Sequence, residues 1–400
     1  MKKRKVAIAD FKILPKAKKY INKILDSNRL SPGPYTEKFE NDFAKIHGRK
    51  YAVFVNSGTS ALQVALHALK EINGWDDNDE ILVPAITFIA TPNIIVHNKL
   101  KPVFVDVESD YYCIDPAKIE AKITKKTRAI LPVHLFGQSA DMEAILKIAK
   151  KHNLKILEDS AETMFVKYKG KPVGSLGDVA CYSTNIAHII TTGTGGIVVT
   201  DDKNIHDTVK SLIFHGRNNI YLKPEDDDDT QNKEKVSALI EKRFQFVHVG
   251  YSFRPTEMEA ALGLSQIEVK NTIVKNRQKV GKAITKALSE FSKFFTLASV
   301  RIQSEHIYML YPIVIKDKRI NKEELLMALE QNNIETRLFF PILSQPIYKK
   351  IVGDIEKNYP VAKMLVENGF IIGSHPYITT SDIKHVYSVF KNFLTKKGLI

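Results

Sequence analysis

Residues 51–72 read YAVFVNSGTSALQVALHALKEI. Five residues of strand-forming type run into a polar NSGTS, and the apolar residues after it recur at helical spacing. A strand, a glycine turn and an amphipathic helix make one unit, and similar units extend outward from it. EILVPA (80–85) precedes the helix-like TPNIIVHN, and KPVFVDV (101–107) reads as another strand. RAILPVHLF (128–136) leads into DMEAILKIAKKHN, with Asp141 placed to cap a helix. KILED (155–159), DVACYS (178–183) and GGIVVT (195–200) complete the set. Strand, crossover and strand again is the pattern of an α/β chain with a mostly parallel sheet covered by helices.

Beyond about residue 270 the character changes. A long Lys-rich amphipathic segment leads into YMLYPIVI, EELLMALEQNN and a terminal SDIKHVYSVFKNFLTK. The expected organisation is therefore a large domain over 1–270, including the N-terminal segment, and a small α+β domain over 271–400. Residues 222–243, LKPEDDDDTQNKEKVSALIEKR, interrupt the large domain as a polar insertion. A flexible acidic run lacks the scaffold that metal carboxylates need, so we expect a solvated loop and no metal site.

Net charge is +14. However, the lysines are spread in pairs such as Lys18-Lys19, Lys125-Lys126 and Lys150-Lys151, with no nucleic-acid motif beside them. The surplus suits an anionic substrate rather than a nucleic acid. Cys113 and Cys181 are the two cysteines. They cannot form a cysteine-ligated iron–sulfur cluster, which needs about four thiolates. A disulfide framework is not expected either, which fits a reducing cytoplasm. MKKRKVAIADF lacks the apolar core of a signal peptide, and ILVPAITFIATPNIIV is too short and broken to span a bilayer.

Open parallel sheets bind ligands beyond the carboxyl ends of their strands. There, Gly58 permits close backbone approach and Thr59 opens a helix whose free N–H groups favour phosphate, although SGTS is equally a good ordinary cap. The strand 155–159 ends in Asp159, a desolvated acid that needs a cationic partner or serves as a cap. Phe88 follows strand 80–85, as core or as a flat wall. A phosphate cradle, an aromatic wall and a carboxylate for a pyridinium together suit pyridoxal phosphate (PLP).

NSGTSALQVAL, VPAITFIATPN, PVHLFGQSADM, ILEDSAE, TTGTGGIVVT and VGYSFRPTEMEAALGLSQIE resemble, in that order, the DegT/DnrJ/EryC1/StrS sugar aminotransferases among the fold-type I PLP enzymes. The resemblance runs from about residue 20 to the C-terminus. It implies a large domain with a seven-stranded-type, mainly parallel sheet, a small C-terminal α+β domain, and a homodimer with shared active sites. It further implies that Gly58, Thr59 and Ser183 hold the phosphate, Phe88 stacks on the ring and Asp159 pairs with its nitrogen.

Two departures carry information. Where the family has the lysine that holds the cofactor covalently, this chain has His188; where the family has Gln, it has Glu162. Both resemble the histidine-containing GDP-4-keto-6-deoxymannose 3-dehydratase branch, in which PLP or its amine form (PMP) is held without a covalent bond. That likeness implies a lyase of deoxysugar biosynthesis: glutamate supplies the PMP amine, His188 acts as the base, and a nucleotide-linked 4-keto-6-deoxy sugar, with GDP as its nucleotide, loses its C3 hydroxyl. Ser252 stands where the family has the Asn that reaches the partner subunit's phosphate, and Thr194 replaces a Glu. A sugar aminotransferase with another base, or a non-catalytic binding protein, are the alternatives open to the sequence.

Overall fold

The structure, a computed structural model, describes residues 6–218 and 244–400; the insertion read at 222–243 lies outside the described residues. Seven strands form the principal sheet: β1 (Tyr51–Val55), β2 (Glu80–Pro84), β3 (Lys101–Val105), β4 (Thr127–Ile130), β5 (Lys155–Asp159), β8 (Val179–Ser183) and β9 (Gly196–Thr200). The intervening β6 (Lys167–Tyr168) and β7 (Lys171–Pro172) make a separate two-stranded ribbon. The order across the sheet is β1-β9-β8-β5-β4-β2-β3. Pairs β2–β3, β2–β4, β4–β5 and β5–β8 are parallel, whereas β9 runs antiparallel to both β8 and β1.

The odd strand follows from the connection. Parallel neighbours need a crossover, usually a helix, and residues 184–195 between β8 and β9 contain none. The chain returns beside itself, and the return loop carries His188. β4 is shorter than the apolar run 128–136 implied. Pro132 offers no N–H to a ladder, and pairing with β2 ends at Leu131, whose N–H reaches the Leu82 carbonyl at 2.8 Å. Towards β5 the run continues as an isolated bridge, with Asp159 N–H on the Pro132 carbonyl (2.9 Å) and His134 N–H on the Asp159 carbonyl (3.0 Å).

A second core gathers on a four-stranded antiparallel sheet, ordered β10 (Phe295–Leu297), β11 (Leu310–Ile315), β13 (Gly369–Gly373) and β12 (Thr336–Leu338). Helix Lys270–Leu288 joins the cores: Ile273 and Val274 pack on the first, while Val280, Ile284 and Leu288 enter the second. Within the expected large domain, 1–270, the N-terminal segment departs from the reading. Val6 is buried in the second core, its N–H donating to the Asn333 carbonyl (3.1 Å) and its carbonyl accepting from Glu335 N–H (2.8 Å). β12 is an edge strand, and the N-terminal segment covers the residues leading into it. No described helix is long and apolar enough to cross a membrane.

One buried carboxylate organises two helix starts. Glu257 opens helix Glu257–Ile267 and is 2% exposed. Its Oε1 accepts from the N–H groups of Gly33 (2.7 Å) and Thr36 (2.8 Å) and from Thr36 Oγ1 (2.5 Å). Its Oε2 accepts from Tyr35 N–H (2.8 Å). These N–H groups begin helix Pro34–Ile46, where an anion also meets the positive end of the dipole. Glu257→Gln would turn one acceptor into a donor facing donors. We expect a loss of about 1–3 kcal/mol, read by urea unfolding; an unchanged midpoint would contradict this account of the junction.

Candidate active site

Four strand ends converge where the sheet reverses. Beyond β1, Ser57 caps helix Gly58–Ile72, its Oγ accepting from Ser60 N–H at 3.0 Å and its carbonyl from Ala61 N–H at 3.0 Å. The N–H groups of Gly58 and Thr59 belong to the first turn, which has no intrahelical acceptor. Ser183, the last residue of β8, lies directly against this turn. A Cβ on Gly58 would sit 2.6 Å from the Ser183 Cβ and 2.9 Å from its Oγ, so no larger residue fits. Thr59 is exposed at the rim. A hydroxyl, two free amides and a helix dipole thus face the same opening, a geometry suited to phosphate.

Asp159 ends β5 and is 3% exposed. Its Oδ2 accepts from Thr91 Oγ1 (2.9 Å), which is itself paired with Thr87 Oγ1 (2.8 Å), and its Oδ1 accepts from Ala161 N–H (3.1 Å). All three of those groups are neutral. Burial raises the Asp159 pKa despite the hydrogen bonds from Ala161 and Thr91. A desolvated carboxylate with no cation paired to it among the described residues is what a protonated ring nitrogen would complete. The same threonine chain fixes the segment carrying Phe88. That ring is 57% exposed and meets Phe340 edge-on, with centroids 6.0 Å apart. Its exposure sets it apart from the core phenylalanines and leaves a face for a planar ligand.

Glu162 lies three residues beyond Asp159 and is buried. Its Oε2 accepts from Phe136 N–H at 2.7 Å. Burial, followed by the neighbouring Asp159 charge, pushes its pKa up to about 8 against the Phe136 hydrogen bond. At neutral pH the side chain is therefore protonated and carries an O–H donor, which is the capacity a glutamine amide would offer.

His188 sits in the return loop. Its N–H donates to the Asn185 carbonyl (2.9 Å), while Ile189 and Ile190 after it are buried. Gln266 holds the next turn, accepting from Thr191 N–H (3.1 Å) and donating to the Thr191 carbonyl (2.5 Å). The residue as a whole keeps some solvent contact, but its Nδ1 has none and makes no hydrogen bond among the described residues. Burial, then the Arg277 charge, lowers the ring to about 4, opposed by the Ala161 backbone. The imidazole is accordingly neutral at physiological pH, with an unengaged ring nitrogen beside the Asp159–Glu162 segment.

Ser252 is the candidate this chain does not join to the cluster. It is exposed, and its Oγ accepts from Arg254 Nη2 at 3.2 Å. Thr194 is turned to Glu259, to which its Oγ1 donates at 3.2 Å. Two residues escaped the sequence reading. Thr91 lay within an apolar helix, and Arg277 falls in phase with Val280, Gly281, Ile284 and Leu288 on the buried face of its helix. An arginine on an apolar stripe was the available signal. The uncompensated Asp159, the Gly58–Ser183 cradle and the unengaged Nδ1 of His188 all fit pyridoxal phosphate.

Residues 12–391 match the DegT/DnrJ/EryC1/StrS aminotransferase family. GDP-perosamine synthase of Escherichia coli O157:H7 is 33% identical over 387 residues, covering 96% of each chain. The E. coli GDP-4-keto-6-deoxy-D-mannose-3-dehydratase, solved with bound hydrated PLP, superposes with a TM-score of 0.87 at 26% identity over 97% of this chain and 99% of that one. PseC of Helicobacter pylori, an aminotransferase of pseudaminic acid biosynthesis, gives a TM-score of 0.86 at 25% identity over 98% and 100%. The chain belongs to the DegT/DnrJ/EryC1/StrS aminotransferase family, with the fold of the fold-type I PLP enzymes.

Proposed function

We propose that this protein is a PLP/PMP-dependent 3-dehydratase acting on a nucleotide-linked 4-keto-6-deoxy sugar, with GDP as the nucleotide and glutamate as the amine source. The observation that carries the reading is His188, a desolvated, neutral imidazole, at the position where the sequence resemblance puts the family's lysine. Imidazole forms no lasting covalent link to an aldehyde, but it can move a proton.

Asp159 would hold the protonated ring nitrogen, Phe88 the ring face, and Gly58, Thr59 and Ser183 the phosphate. Glu162 would donate its proton to an oxygen on the ring. When bound, the cofactor supplies the electron sink that lets a hydroxyl beside a ketone depart. His188, neutral at physiological pH, would take up a proton through its imidazole. Ser252 would complete the phosphate site of a partner subunit in a homodimer. The likeness to GDP-perosamine synthase supports a second reading, transamination with a different base; its mark is an amino-sugar product instead of released ammonia.

General acid–base groups contribute roughly 10²–10⁴-fold. His188→Asn should lower dehydration by about that factor while cofactor binding, followed by absorbance, survives. His188→Lys should restore covalent attachment trapped by borohydride, whereas the native chain should yield no adduct. Near-normal turnover by His188→Asn would make the histidine structural.

Glu162 gives a pH signature independent of activity. Its carboxyl titrates near 4.5 when unfolded and near 8 when folded. Between these values the folded state binds more protons, so stability falls as pH rises and the loss is complete above about 8. His188 works oppositely between about 4 and 6.5 and is common to wild type and variant. Cofactor-free Glu162→Gln should therefore match wild type near pH 4.5 and exceed it at pH 8, by on the order of 1–3 kcal/mol. Parallel pH profiles in urea unfolding would show that Glu162 ionises normally.

A further inference from the structure

Arg277 is 2% exposed on helix Lys270–Leu288, yet no carboxylate meets it among the described residues. Its Nη1 donates to the carbonyls of Tyr308 (3.3 Å) and Met309 (3.2 Å), and its Nη2 to the carbonyl of His188 (3.3 Å). Its Nε has no hydrogen-bond partner. Burying a guanidinium against carbonyls alone is costly, and it lowers the group to about 10. An apolar residue would fill the helix face more cheaply, so the buried cation and its fork need a reason.

The contacts supply one. Tyr308 and Met309 lead into β11, the centre of the second core. Tyr308 is pinned there from two further sides: Ser374 Oγ donates to its carbonyl at 2.7 Å, and its ring lies against Gly281, where an added Cβ would come within 2.2 Å of the ring carbon Cγ. Gly281 is one turn beyond Arg277 on the same helix. The guanidinium therefore bridges a rigid point of the second core and the backbone of the return loop at the residue that faces the site.

We propose that Arg277 is a positioning residue for His188, tying its carbonyl to the Tyr308–Met309 segment and setting a fixed cation behind the ring. The proposal rests on reading His188 as the base. The cation disfavours a second positive charge on the imidazole, so the ring stays ready to accept a proton; burial is the larger influence and Arg277 the next. The other titratable groups around the pair are Asp159 and Glu162 on the segment carrying Ala161, Tyr308 with His306 stacked on its ring (centroids 4.1 Å), and Tyr377 after β13 with Asp10 and Lys12 beside it. No one of these carries a fixed charge on the ring comparable to Arg277.

The test uses the full chain with histidine labelled at the ring carbon, titrated by NMR with and without PMP. Wild type should keep His188 neutral above about pH 5. Arg277→Gln, which keeps a donor but removes the charge, should raise the His188 midpoint by about one unit. Arg277→Lys should leave the midpoint low, because the charge remains. Losing the fork should still lower kcat roughly ten- to a hundredfold with KM little changed. An unshifted midpoint in Arg277→Gln overturns the electrostatic role, and unchanged kcat in Arg277→Lys overturns the positioning role. If Arg277→Gln does not fold, Arg277→Lys decides: a kcat loss with an unmoved KM supports the proposal, and wild-type kcat refutes it. A shifted midpoint in a protein whose wild type dehydrates nothing would keep the role of Arg277 and reject the proposed reaction.

Discussion

Two adjacent carboxylates at the end of β5 face opposite demands, and the difference between them organises the site. Glu158 is fully buried and fully served. It accepts from His134 Nε2 (2.9 Å) and from the N–H groups of Gly174 (3.0 Å), Leu176 (2.8 Å) and Gly177 (2.5 Å), with Arg49 at 3.7 Å. Because His134 Nδ1 accepts from Ala140 N–H (3.0 Å), its Nε2 must carry the proton, so the ring is a neutral donor and not an ion-pair partner. Burial works to raise the Glu158 pKa, but these donors and Arg49 outweigh it and hold it below the ordinary value. Asp159, one residue on and on the other face of the strand, receives just a threonine hydroxyl and one amide, and its pKa moves up. The first carboxylate locks the strand tip; the second is left needing a cation. The donors at the strand tip go to Glu158, and Asp159 is left without a charged partner among the described residues.

The rest of the site is arranged around that deficit. The return of the chain from β8 to β9 without a helix places a loop, instead of a crossover, over the strand ends. Arg277 and Gln266 reach the loop from two helices, adding outside anchors to the loop's own hydrogen bonds, such as Ile186 N–H to the Gly193 carbonyl (3.1 Å) and Thr192 N–H to the Thr184 carbonyl (2.9 Å). His188 within it and Glu162 just beyond β5 are both held neutral by burial, one below and one above its ordinary pKa. A site with one uncompensated anion and two neutral titrating groups can bind a cationic ring, donate a proton to it and accept one beside it. On the proposed reading, histidine at 188 would form no competing covalent bond to the cofactor.

Much of this was legible in the sequence. β1, β5 and the helix after NSGTS were readable because their period and punctuation agree, and Asp141 caps its helix as its spacing implied, accepting from Ala144 N–H at 3.3 Å. Gly58, Ser183 and Asp159 were legible as strand ends. The antiparallel course of β9 was not, since strand residues look alike in either direction and the signal lies in what the connection lacks. Val6 joining the second core was also hidden, because a single edge contact leaves no period. Arg277 left a trace, an arginine in phase with an apolar stripe, but its partners are backbone carbonyls far along the chain. The role expected of Ser252 lies towards a partner subunit, and within its own chain it meets Arg254.

The central claim is that a neutral histidine in place of lysine turns this scaffold from transferring an amine to removing a hydroxyl. Incubating the protein with PLP, glutamate and GDP-4-keto-6-deoxymannose, then weighing the sugar nucleotide and assaying ammonia, tests it most directly. The account predicts a product lacking the C3 oxygen, with ammonia released in equal amount. A product that retains that oxygen and has gained an amino group at C4, with no free ammonia, would contradict it.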